Sequence, residues 1–130
     1  MGQSREGTHY RRVEVRIWND EKFRHLSLEG ASVFFHLLSH PDLRPYGAIR
    51  SSEKGLAAEY PFFDSKRYAK GFAELLAKGF VVQSANGCFI RLKNFLKYNF
   101  PDNKNFLISW INSLEYLPEC SERTQLLQDF

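Results

Sequence analysis

Residues 64–92 read DSKRYAKGFAELLAKGFVVQSANGCFIRL. Two periods meet in this stretch. At 100° per residue, Tyr68, Phe72, Leu75 and Leu76 share one side of a helix, flanked by Ala69 and Ala73. Lys66, Arg67, Lys70, Gly71, Glu74 and Lys78 fall on the other side. Asp64 is placed to cap the helix, and Gly79 suits its C-terminus. The period then changes. Phe80 to Gln83 reads as a strand, Ser84-Ala85-Asn86-Gly87 as a turn, and Cys88 to Leu92 as the return strand. Asn-Gly between two such runs is the strongest short hairpin signal. A helix with one basic face, followed at once by a β-hairpin, is the feature from which the rest is read.

Upstream, Ser51 or Ser52 caps a second helix with Leu56, Ala57 and Tyr60 inward, and Pro61 ends it. The pair Phe62-Phe63 is expected to be buried. Ala48-Ile49-Arg50 reads as a short strand. Ser27 caps an earlier helix over 27–39, in which Leu28, Ala31, Phe34, Phe35 and Leu38 recur at helical spacing and Val33 and Leu37 broaden the stripe. Arg12 to Trp18 alternates apolar and polar residues, which predicts an N-terminal strand, with Phe23 an inward anchor after it. Residues 1–11 read as a flexible arm. Downstream, Phe106, Leu107, Trp110, Ile111, Leu114 and Leu117 fit a helix ended by Pro118, and Ser121 to Phe130 a last short one.

The predicted fold class is α+β and mostly helical: a winged helix-turn-helix with an N-terminal strand, a β-hairpin wing and one or two C-terminal helices. Residues 12–130 form a single domain, a length near the usual domain size. In this plan the helix of residues 64–78 presents its outer face to duplex DNA. Charge agrees. The chain has net charge +3, but residues 1–100 carry sixteen basic and ten acidic residues, whereas 101–130 carry two and five. Residues 60–98 are richest, with seven basic and two acidic. The expected DNA contacts are Ser65, Lys66, Arg67 and Lys70, supported by Lys78, Arg91, Lys93 and Lys97. Arg67 is the best reader of guanine, because guanidinium binds it in bidentate fashion.

Other classes lack their motifs. No apolar run reaches the length of a membrane span and no secretory signal is present, so the reading is a cytoplasmic protein. Two cysteines, Cys88 and Cys120, make no disulfide framework. His36 and His40 lie i,i+4, but residue 37 is Leu and no further ligand is evident, so no metal is assigned. No phosphate-binding glycine loop and no nucleophile elbow occurs, and neither a cofactor nor an enzymatic activity is expected. Trp18, Tyr46 and Tyr98 read as packing residues or, less simply, as stacking platforms for unpaired bases.

Three blocks carry a resemblance. The first is RRVEVRIWNDEKFRHLSLEGASVFFHLLSHPD, with Trp18, Asp20, Phe23, Leu26, Ser27, Leu37, Leu38, His40 and Pro41 in a recurring pattern. The second is FAELLAKGFVVQSANGCFIRLKNFLKYN, ending in Asn94, Phe95, Lys97 and Asn99. The third is NFPDNKNFLISWINSLEYLPEC, where Lys104 stands in place of a proline. Over about residues 11–120 the chain resembles phage and prophage replication-initiation proteins, also called replisome organisers. The resemblance implies an N-terminal winged-helix domain that binds origin DNA or helps load the host replicative helicase, with the helicase or its loader as a partner. It also implies a longer protein, of which this chain is the N-terminal part. The segment 106–117 is read either as a helix that covers the winged-helix core or as the interface of a homodimer. A winged-helix transcriptional regulator, and a primosomal protein-interaction module without DNA affinity, remain alternatives.

Overall fold

The computed structural model describes residues 11–44 and 46–94. The remainder of the arm, Tyr98, Lys97, Cys120 and the C-terminal helices lie outside the described residues.

Each main helix begins at a side-chain cap. In α1 (Glu21–Arg24) the Asp20 carboxylate accepts from the Phe23 amide. In α2 (Leu28–Leu38) the Ser27 hydroxyl accepts from Gly30 at 3.1 Å. In α3 (Glu53–Glu59) Ser52 does the same for Gly55 at 3.1 Å, and in α4 (Ser65–Ala77) Asp64 does so for Arg67 at 2.9 Å. Each cap satisfies an amide that the first turn leaves without a partner. Gly79, at φ +79°, lets the chain reverse after α4, so the Phe80 amide donates back to Leu75 at 2.9 Å.

Three strands form one antiparallel sheet. β1 is Ala48–Ile49, β2 is Val81–Gln83 and β3 is Ile90–Leu92, in the order β1-β3-β2. The hairpin register pairs Val81 with Leu92 and Gln83 with Ile90, and β1 sets Ala48 opposite Arg91. The core joins Val33, Leu37 and Leu38 of α2, Leu56 and Ala57 of α3, Tyr68, Phe72 and Leu75 of α4, and Ile49, Val81, Ile90 and Leu92 of the sheet. The described fold is α+β, about half helical, with a small antiparallel sheet.

Where α2 crosses α4 the backbones nearly touch. A Cβ built on Gly71 would lie 2.5 Å from the Glu29 carbonyl oxygen. Gly71, expected on the outer face, is therefore buried: it is the point of closest approach. Beside it Glu74, also expected outside, turns back to α2. Its carboxylate accepts from the Ser27 amide at 3.0 Å and the Ser27 hydroxyl at 2.5 Å.

Three other expectations are corrected. Residues 12–18 form no strand; Val15–Asn19 is a 3-10 helix, held by Ile17 to Glu14 and Asp20 to Ile17 backbone bonds. A period-2 pattern needs a neighbouring strand, and here Val13 and Val15 stay exposed, while the Trp18 ring packs edge-on against Phe23 at 5.4 Å and Ile17 is half-buried. Phe62 is 79% exposed; only Phe63 is tucked in, against Tyr60 at 4.7 Å. Leu28 is exposed as well, because it lies about 140° around the helix from Val33, the centre of the buried stripe. Phe23 and Tyr46 are core residues.

Candidate nucleic-acid interface

The sequence of α4 sets its two sides. Tyr68, Gly71, Phe72 and Leu75 are buried. Lys66, Lys70, Ala73 and Ala77 are exposed along the opposite side, and Ser65 is exposed at the first turn. Two lysines followed by small residues leave a face on which another molecule can approach the helix closely. The positive end of the helix dipole adds to the lysine field at the N-terminal turn.

Arg67 lies at the edge of this face. Its Nε donates to the Glu29 carboxylate at 3.0 Å, and its guanidinium sits 4.7 Å from the centre of the Phe63 ring. The Glu29 carboxyl is held below its ordinary range by its own backbone amide, the Arg67 hydrogen bond and the charges of Arg67 and Lys70. Arg67 is thus partly engaged within the protein, with its guanidinium held in one orientation.

Lys78 is also tied down. It donates to the His25 carbonyl at 2.9 Å and to Glu74 of its own helix at 3.3 Å, linking the end of α4 to the residue that closes α1. Lys93 is exposed just beyond β3. Arg91 is a correction: it sits in the central strand, 5% exposed, between Ala48 and Val82, so its guanidinium is not offered at the surface. β3 is the central strand and is buried at Ile90, Arg91 and Leu92 alike, so both of its faces are covered and a basic residue on it does not reach the surface. Lys97 lies outside the described residues.

A second constellation was not legible in the sequence. His36, His40 and Glu59 bring ligand-type atoms within 4.8 Å of one another. The His40 Nε2 is hydrogen-bonded to Glu59, and the His36 Nε2 is 3.6 Å from the same oxygen. His40 Nδ1 accepts from the Asp42 amide at 3.0 Å, which places the neutral ring's proton on Nε2. His36 Nδ1 meets the hydroxyl of the buried Tyr68 at 2.6 Å. Burial, then the neighbouring His40, hold the His36 pKa below its ordinary value against the pull of Glu59. Burial, then Glu59, push the Tyr68 hydroxyl above its own. Glu59 is 19 positions from His40, and no short motif spans such a gap; only the tertiary fold, in which α2 and α3 both pack on α4, brings it there.

No protein-family model, no curated protein and no solved structure matches the chain. No helix among the described residues is long and apolar enough to cross a membrane.

Proposed function

We propose that the chain is a winged helix-turn-helix domain that binds duplex DNA through the outer face of α4, as part of a phage or prophage replication-initiation protein. The observation that carries the fold reading is the order α2-β1-α3-α4-β2-β3 with the sheet order β1-β3-β2. In such a domain α3 and α4 are the helix-turn-helix pair and the β2–β3 hairpin is the wing. The exposed Ser65, Lys66 and Lys70, beside the oriented Arg67, support the contact surface, with Lys93 next to the hairpin. The replication role rests on the resemblance of the three sequence blocks. The host helicase or its loader is the protein partner this role implies.

The test is fluorescence anisotropy with labelled random-sequence duplex and single-stranded DNA across a salt series. Duplex affinity should fall linearly in log salt, since each neutralised phosphate releases counterion. The triple change Lys66→Ala, Arg67→Ala, Lys70→Ala should abolish binding while the far-ultraviolet circular dichroism stays unchanged. Tight binding by the triple variant overturns the assignment of the face.

One observation favours a second reading, a primosomal protein-interaction module. Phe62, Val15 and Trp18 are strongly exposed apolar side chains. No DNA binding at low salt, together with capture of the host helicase or loader, would select it.

A further inference from the structure

We propose that His36, His40 and Glu59 form a zinc site that ties the end of α2 to the end of α3. Two imidazoles and a carboxylate are a usual zinc donor set, and three protein donors leave a fourth position for water. The three groups already face one another: the two Nε2 atoms converge on Glu59, and His36 Nε2 stands 3.6 Å from its Oε1. Donors bound at about 2.0–2.2 Å around a tetrahedral ion lie some 3.2–3.6 Å apart. The His36–Glu59 separation therefore fits as it stands, and His40 and Glu59 must part to admit the ion. Glu59 is half exposed, which gives the ion a path in and the fourth position access to water.

The surroundings of the two histidines differ. His36 suits a ligand: with zinc on Nε2, its Nδ1 carries the proton and donates to the Tyr68 oxygen, now 2.6 Å away. His40 pays a cost, because its Nδ1 now accepts from the Asp42 amide. Zinc at Nε2 shifts that ring's proton to Nδ1, with no net proton lost, and the Asp42 amide must turn away. This opposing hydrogen bond predicts micromolar affinity, weaker than a closed structural zinc site. Tyr68 carries the effect into α4, the helix whose outer face bears Lys66 and Lys70, although the zinc site does not depend on DNA binding.

The test uses the full chain stripped with chelator, then titrated with Zn2+ alone by calorimetry and with Co2+ by visible absorption. The expected result is one ion per chain, with tetrahedral Co2+ bands and a shift of the Asp42 amide resonance. Glu59→Gln keeps the size of the side chain and should weaken binding by at least about tenfold. His36→Gln should do likewise, with circular dichroism confirming that both variants fold. No uptake at roughly 100 µM Zn2+, an affinity of about −5.5 kcal/mol, overturns the proposal. Uptake unchanged in both variants overturns it equally, because the ion then sits elsewhere.

Discussion

Two apolar segments of this molecule meet different fates. Around the α2–α4 crossing, Val33, Leu37, Tyr68 and Leu75 are wholly buried, and the backbones approach until only glycine fits at position 71. In the 3-10 helix Val15–Asn19, residues of similar hydrophobicity bury nothing fully: Val15 and Trp18 remain 84% and 63% exposed. Composition does not separate the two. What separates them is a partner surface of matching period. α4 presents a second helical stripe to α2, whereas among the described residues no strand pairs with the alternating segment 12–18.

The crossing breaks most sharply at Gly71. In a helix interior, replacing glycine by alanine gains about 1 kcal/mol from backbone entropy. At this position the added Cβ meets the Glu29 carbonyl oxygen at 2.5 Å, and also the Glu29 carbonyl carbon and Val33. A backbone group cannot swing aside as a side chain can, so α2 and α4 must separate. The clash wins: Gly71→Ala should destabilise the protein by about 1–3 kcal/mol net, lowering the melting temperature by roughly 4–8 °C per kcal/mol. A stability at or above wild type, read from denaturant unfolding, would show that the helices sit farther apart than described.

The Glu74 contact tests the same crossing through pH. Burial raises the Glu74 pKa, but the Ser27 hydroxyl and amide and the Lys78 ammonium outweigh it and hold the folded value below the ordinary carboxylate range. A depressed carboxyl contributes stability that is present above its unfolded pKa and lost as pH falls through its folded one. Wild-type stability should therefore decline below about pH 4.5. Glu74→Gln should cost about 1 kcal/mol at pH 7 and show a shallower decline across that acid window. Parallel acid limbs in chemical denaturation would remove Glu74 from the crossing.

Much of this was readable in advance because caps and punctuation act locally. Ser27, Ser52, Asp64, Gly79 and the Asn86-Gly87 turn each carry their signal within a few residues, and the helices and hairpin follow from them. The N-terminal strand, Arg91 and the His36–His40–Glu59 cluster depend on which elements become neighbours. Alternation at 12–18 is real, but no strand among the described residues pairs with it. Arg91 reads as a surface cation until the fold makes β3 the central strand, buried on both faces. Glu59 joins the two histidines only once α2 and α3 both pack on α4. Of the basic residues, the sequence separates Lys66 and Lys70 from the core stripe; it does not reveal that Arg67 and Lys78 are engaged by Glu29, His25 and Glu74.

The smallest expected effect lies in the N-terminal segment, where it discriminates best. If Arg12 to Trp18 were a strand with its apolar face inward, Val15 would share that face with Val13 and Ile17, and a polar replacement would cost as much as other core truncations, about 1–3 kcal/mol. In the 3-10 helix Val15 is 84% exposed, so Val15→Ser removes almost no buried surface. Its effect should stay within about 0.5 kcal/mol of wild type. Ile17→Ser is the internal control. Ile17 is half-buried and lines the cavity of about 150 Å³ that also touches Phe23, Phe34, Leu38 and Phe80, so it should cost more than Val15→Ser. Equal and large losses at both positions would restore the strand, because only an inward-facing alternating segment buries the two side chains alike.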